Sequence, residues 1–282
     1  MPKTDRPALT LATARKSLGQ HFLFDPDILN RAALAAGPVA SRVVIEIGPG
    51  PGGLTRSLLE LGAEKLIAIE ADQRFANALS EWPEAQTGRL QIIQGDARKV
   101  SIPDILGADQ TQGPVMIISN LPYNIGTVLL THWLKAGDWR GEMALMFQKE
   151  VALRICALPG EAHYGRLAIL TGASMQAHIS FTLPPGAFRP PPKVDSAVVA
   201  FIPLAPDKRF TNMALLETLT RHGFGQRRKM LRSSLKPFVK AQGIALEPWL
   251  DKAGIDPTAR AETVDIQAWC RLAETCPVQS VT

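Results

Sequence analysis

Short apolar runs alternate with amphipathic stretches over most of the chain. Val43-Val44-Ile45-Glu46-Ile47, Leu66-Ile67-Ala68-Ile69-Glu70, Leu90-Gln91-Ile92-Ile93-Gln94, Val115-Met116-Ile117-Ile118 and Met143 to Phe147 each predict a buried strand. Leu54 to Leu61, Arg74 to Ser80, Thr127 to Lys135 and Lys149 to Ala157 predict helices between and after them, the first stopped by Gly62. Asp25-Pro26 reads as an N-cap and first helical position, opening a helix to about Ala36. Strand–helix alternation of this kind predicts an α/β fold, a mostly parallel, doubly wound sheet covered on both faces. His178 to Leu183 and Ser196 to Ile202 predict two closing strands. Between them, Phe188-Arg189-Pro190-Pro191-Pro192-Lys193-Val194 is excluded from helix and central strand, because proline removes backbone donors.

After Pro203-Leu204-Ala205-Pro206 strands disappear, and Lys, Arg and helical periodicity dominate. The expected organisation is an N-terminal tail over 1–23, an α/β domain over 24–206 and a small helical domain over 207–282. The chain's 282 residues and 46% hydrophobic content suit one large and one small globular domain. A net charge of +5 leans toward a polyanionic partner. Three scattered cysteines and five isolated histidines suggest neither disulfides nor a metal site, and a reducing cytoplasm fits. No signal peptide is expected, and no window approaches the roughly 18 apolar residues that span a bilayer. Nothing demands more than a monomer.

The chemistry starts at Gly48-Pro49-Gly50-Pro51-Gly52-Gly53, between a strand and a helix. Read as Gly48-x-Gly50-x-x-Gly53, it matches a dinucleotide fingerprint, with Glu70 placed for a ribose. A nicotinamide enzyme is therefore one reading. Charge favours another. Pro51 deletes a donor near the helix start, and Glu46 sets a carboxylate beside the turn, where it would repel phosphate. S-adenosylmethionine carries an ammonium and a sulfonium and no phosphate, so an acid at Glu46 suits it. Glu70 can accept from both ribose hydroxyls, and Asp96 from the adenine amine. Glu46, Glu70, Asp96 and Asn120 fall within or at the ends of four successive strands, the edge where doubly wound sheets bind ligands.

Asn120-Leu121-Pro122-Tyr123 is ordinary turn chemistry, yet it also supplies what methylation of an exocyclic amine needs. The Asn120 oxygen and the Leu121 carbonyl can accept two amine protons. Pro122 adds no competing N–H, and the Tyr123 ring can stack on a flat base.

The chain resembles the rRNA adenine N6,N6-dimethyltransferases of the bacterial small subunit over nearly its whole length. The resemblance rests on Lys16-Ser17-Leu18-Gly19-Gln20-His21-Phe22-Leu23, Glu46-Ile47-Gly48-Pro49-Gly50, Asn120 to Ile125, Gln148-Lys149-Glu150-Val151, Tyr164-Gly165-Arg166-Leu167, Phe188 to Val199 and Phe224-Gly225-Gln226-Arg227-Arg228-Lys229. It implies a Rossmann-like class I methyltransferase fold and cofactor contacts at His21, Leu23, Gly48, Glu70, Asp96 and Asn120; Glu46, just before the glycine turn, and Gly50, within it, are further candidate cofactor contacts. The family commonly has Asn where this chain has His21. The implied substrate is a pair of adjacent adenosines near the 3′ end of 16S rRNA in the immature small ribosomal subunit. Phe188 is the candidate second wall for a flipped adenine, opposite Tyr123.

Arg228, Arg232 and Lys236 are spaced to share one helical face, with Arg221, Arg227 and Lys229 around them and Pro237 ending the run. That predicts a phosphate-contacting surface, to which Arg15 and Lys16 add from a tail folding over the cofactor as a lid. An Erm-type 23S rRNA adenine methyltransferase, and a largely non-catalytic ribosome-assembly or transcription factor on the same fold, are the competing readings. The Arg227-Arg228-Lys229 segment and the proline-rich loop favour the small-subunit enzyme.

Overall fold

The computed structural model describes residues 20–107 and 113–278. Arg15, Lys16 and the rest of the expected tail through Gly19 lie outside the described residues. In chain order the elements are β1 (Phe22–Leu23), α1 (Pro26–Ala33), β2 (Val43–Ile47), α2 (Gly53–Glu60), β3 (Lys65–Glu70), α3 (Gln73–Ser80), α4 (Pro83–Gln86), β4 (Leu90–Gln94), α5 (Ile102–Leu106), β5 (Val115–Ser119) and α6 (Gly126–Leu134). There follow β6 (Arg140–Gln148), α7 (Lys149–Cys156), α8 (Arg166–Gly172), β7 (Met175–Leu183), β8 (Phe188–Arg189) and β9 (Ser196–Pro203). The chain then turns helical, with α9 (Met213–Gly225), α10 (Leu231–Ser234), α11 (Lys236–Gln242), α12 (Leu246–Lys252) and α13 (Ile266–Glu274).

Seven strands form one sheet in the order β4-β3-β2-β5-β6-β9-β7. The pairs β4/β3, β3/β2, β2/β5 and β5/β6 are parallel, and β6/β9 is antiparallel. Every residue of β2 and β5 is buried, which is why both read as largely apolar runs rather than as alternating ones, with Glu46 and Ser119 the polar exceptions near their carboxyl ends. Connections after β2 run to one side, to β3 and β4, while β5 lies on the other side. The carboxyl end of β2 is thus the switch point of the sheet. The expected strands and main helices are present within a few residues. α1 is capped as expected: the Asp25 carboxylate accepts from the backbone N–H groups of Asp27 and Ile28 at 2.9 and 3.3 Å.

Two compact units emerge. One comprises the chain through Ala152 together with His178–Ile202, and the other comprises Leu153–Ala177 and the chain from Pro203 onward. The change near Pro203 lies close to the expected boundary at 206, but one cut does not describe the division. Helix α8 and its flanks belong with the C-terminal helices. Within that second unit the Tyr164 hydroxyl donates to the Val264 carbonyl at 2.9 Å, and Gly172 leaves room for the Ile266 side chain. α8 escapes sequence reading because Leu167 to Thr171 is buried throughout, so no polar face marks a period.

Candidate active site

The carboxyl edge of the sheet carries the candidate residues in spatial order. Asp96 follows β4, Glu70 ends β3, Glu46 is the penultimate residue of β2, and Asn120 follows β5. All four line one cleft with an empty volume of about 1160 Å³. His21, Leu23, Gly48, Gly50, Leu121, Pro122 and Tyr123 line it too. Segments from His21 to Tyr123 thus meet at one cleft.

The glycine turn is wired internally. The Gly50 N–H donates to Glu70 Oε2 at 2.9 Å, the Gly48 N–H to the Ile69 carbonyl at 2.8 Å and the Gly52 N–H to the Pro49 carbonyl at 3.0 Å. Pro49 and Pro51 have no N–H. The N–H groups of Gly48, Gly50 and Gly52 are thus already engaged within the protein, while the first turn of α2 carries no side-chain cap. Gly50 has φ +54°, and a Cβ there would sit 2.7 Å from the Phe22 ring. Glycine is required on both counts.

Glu70 accepts a second backbone N–H, from Asp72, at 2.7 Å. Each of its oxygens still has a lone pair for a ligand. Burial raises its pKa despite these bonds. Glu46 is almost fully buried, accepts from Thr55 Oγ1 at 2.7 Å, and burial pushes it up to about 8. Asp96 is different. Arg98 Nε and Nη2 fork onto its carboxylate at 2.6–3.1 Å, and this hydrogen bonding holds it down to about 2. Arg98 also lines the cleft, two residues beyond the acid it holds, a partner that sequence reading missed.

The Glu46 shift has a testable sign. The native state keeps this proton up to about pH 8, whereas an unfolded Glu releases it near its ordinary 4.5. Its contribution to stability is full below 4.5 and is lost as pH rises through about 8. The loss is at most ~1.4 kcal/mol per pH unit, and Glu70 acts in the same direction. Melting temperatures between about pH 5 and 8 are expected to fall more steeply for the wild type than for Glu46→Gln. Parallel slopes would exclude Glu46 as the source.

The tetrad sits against the glycine turn and the β1 segment. Asn120 Nδ2 donates to the His21 carbonyl at 2.9 Å. A carbonyl only accepts, so this contact fixes which way the amide points. Asn120 Oδ1 is left as an acceptor, and no hydrogen bond among the described residues ends on the Leu121 carbonyl. The Pro122 carbonyl takes the N–H groups of Ile125 and Gly126 at 3.1 Å, which starts α6. The Tyr123 hydroxyl pairs with the buried Ser196 hydroxyl, a partner with no sequence signal.

Phe188 is a correction. Its side chain is 2% exposed and belongs to the apolar core, and it does not line the cleft. β8 pairs with β1, Leu23 opposite Phe188, and strand alternation sends this ring inward. The proline-rich loop thus supports β1 rather than presenting an aromatic wall.

The basic segment is corrected as well. Helix α9 ends at Gly225, residues 226–230 are irregular, and Pro237 stands in the first turn of α11 instead of ending a helix. Arg228, Arg232 and Lys236 therefore do not share one helical face. Met230 forms an isolated antiparallel bridge with Arg260 that breaks the run. Arg221, Arg228, Lys229, Arg232 and Lys236 are exposed, as expected of phosphate contacts. Arg227 is engaged within the protein, donating to Glu262 at 2.6 Å and to the Ala162 carbonyl at 2.8 Å.

No helix among the described residues is long and apolar enough to cross a membrane. Comparison with known proteins matches residues 11–276 to the family model of ribosomal RNA adenine dimethylase. The ribosomal RNA small subunit methyltransferase A of Sinorhizobium medicae is 49% identical over 269 residues, covering 92% of each chain. That of Xanthobacter autotrophicus is 48% identical over 266 residues, covering 93% of this chain and 89% of its own. A solved dimethyladenosine transferase from Plasmodium falciparum superposes with a TM-score of 0.74 at 26% identity, over 90% of this chain and 96% of that one. With its parallel sheet, its acid-lined cleft and these matches, the chain belongs to the ribosomal RNA adenine dimethylase family.

Proposed function

We propose that this protein dimethylates the N6 amines of two adjacent adenosines near the 3′ end of 16S rRNA, within the immature small ribosomal subunit, with S-adenosylmethionine as cofactor. The observation that carries this reading is the Asn120 amide. Its nitrogen is taken by the His21 carbonyl, which leaves two oxygen acceptors, Asn120 Oδ1 and Leu121 O, beside the acid-lined cleft. Relatives at 48–49% identity bear the name of a small-subunit enzyme, which supports 16S over 23S rRNA as substrate.

The donor set fits the cofactor. Glu70 has free lone pairs for two ribose hydroxyls, Asp96 is ionised and can accept from an adenine amine, and Glu46 can lose its proton opposite a cation. When bound, S-adenosylmethionine supplies an electrophilic methyl group. The protein's part is to prepare the nucleophile. Adenine's amine is weak because its lone pair is delocalised into the ring. Asn120 Oδ1 and Leu121 O each accept one amine proton and draw the nitrogen toward tetrahedral geometry. Positive charge then grows on nitrogen between two carbonyl dipoles already in place, which is electrostatic preorganisation. Tyr123 stacks on the base once it has left its helix, worth ~1–3 kcal/mol.

The test supplies labelled cofactor to under-methylated small subunits, mature small subunits and 23S rRNA, and locates the methyls by mass spectrometry. Two dimethyladenosines in the first substrate alone are expected. Methyl groups on 23S rRNA would transfer the assignment to an Erm-type activity, and methyls on neither would leave the assembly-factor reading. The exposed cations give a second check. If Arg228 and Arg232 neutralise phosphates, charge reversal at both weakens RNA binding and flattens its log–log salt dependence by about 0.7–0.9 per lost contact. An unchanged slope removes them from the interface.

A further inference from the structure

His21 touches the tetrad at both of its chemical groups. Its carbonyl accepts from Asn120 Nδ2 at 2.9 Å. Its imidazole lies on the Tyr123 ring, with centroids 5.5 Å apart and planes inclined by 28°. Its Nδ1 lies 2.8 Å from the Pro190 carbonyl, to which it must donate. The next two residues, Phe22 and Leu23, pair with Arg189 and Phe188. The His21 side chain is therefore pinned between the proline-rich loop and Tyr123, while its carbonyl holds Asn120.

We propose that His21 is a positioning residue that sets the Asn120 amide and the Tyr123 ring together, so that amine acceptors and stacking platform hold one fixed geometry. The inference rests on the methyl-transfer reading above and gives His21 a role distinct from that of a cofactor contact. With the imidazole against the ring and Ser196 at the hydroxyl, Tyr123 is held in one orientation at the cleft. The carbonyl holds Asn120 with its nitrogen turned away, so the amide does not spend part of its time presenting donors to an amine that needs acceptors. Losing either restraint loosens that geometry, and a misplacement of about 1 Å at a reacting centre costs on the order of a hundredfold in rate.

The variants separate the two side-chain contacts. His21→Asn can still donate to Pro190 but has no ring. His21→Phe keeps a ring and loses the donor. His21→Ala loses both. The chain has only two tyrosines, so 3-fluorotyrosine labelling gives two fluorine resonances, assigned with Tyr123→Phe. Tyr164 belongs to the other compact unit and reports folding. The expected result is a shifted Tyr123 resonance in His21→Ala and His21→Asn with Tyr164 unmoved. In those two variants kcat falls by about tenfold or more while the dissociation constant for S-adenosylmethionine stays within about threefold, and His21→Phe recovers part of the rate. An unmoved Tyr123 resonance overturns the proposal, as does a loss confined to cofactor affinity. A wild-type protein that transfers no methyl to adenine sinks the functional reading instead, and the fluorine shifts still decide the bracing.

Discussion

Asn120→Ala is expected to lose methyl transfer by about 10²–10³-fold in single-turnover assays, the usual cost of removing one preorganised dipole from a reacting centre. Alanine removes the acceptor that faces the amine and leaves the Leu121 carbonyl alone. One hydrogen-bonded proton does not draw the nitrogen out of conjugation as two do. Cofactor binding should survive in large part, because Glu70, Asp96 and the glycine turn are untouched. Calorimetry on the same variant therefore separates chemistry from binding. Asn120→Asp is the sharper companion: it keeps an acceptor but loses the Nδ2–His21 bond and sets a carboxylate against the His21 carbonyl. It should also be slow. Near-normal turnover in the alanine variant would remove Asn120 from the mechanism.

Glu70→Ala should weaken S-adenosylmethionine binding by more than about a hundredfold and lower the melting temperature at the same time. Two effects combine. The ribose loses its carboxylate, and hydrogen bonds to a charged group contribute about 1.5–3 kcal/mol each. The Gly50 and Asp72 N–H groups also lose their acceptor, at about 1–3 kcal/mol for each donor left unsatisfied. The second effect is independent of any cofactor. Glu70→Gln retains one acceptor oxygen, but its amide nitrogen meets a backbone N–H, so it should fall between the two. Calorimetry and thermal melts read both effects. Wild-type affinity in Glu70→Ala would refute the ribose assignment, and an unchanged melting temperature would refute the structural one.

Much of the fold was legible because a buried parallel sheet leaves a loud signal. The β2 and β5 strands are buried along their whole length and carry a polar residue only at or next to the carboxyl end, Glu46 in β2 and Ser119 in β5, so strand ends and candidate site residues are read together. The cleft followed from the rule that ligands sit at that edge. What stayed hidden depended on contacts distant in sequence. Phe188 looked available because a proline-rich loop has no period, yet its pairing partner Leu23 lies far back in the chain and turns the ring inward. Arg227 looked like its basic neighbours, and Glu262 claimed it. Pro237 opens a helix where the run before it suggests an end, a choice that local sequence leaves open because proline suits the first helical turn as well as the position after the last. Ser196 carries no local sign that it meets a tyrosine.

The internal wiring of the glycine turn bears on selectivity in a crowded cell. Adenine nucleotides are abundant there, and their adenosine halves would suit Glu70 and Asp96 as well as the intended ligand does. With the cofactor proposed above, the loop is expected to discriminate by what it withholds. The N–H groups of Gly48, Gly50 and Gly52 already serve the protein's own oxygens, and Pro49 and Pro51 have none to offer. A competitor that shares the adenosine finds no welcome for the part that differs.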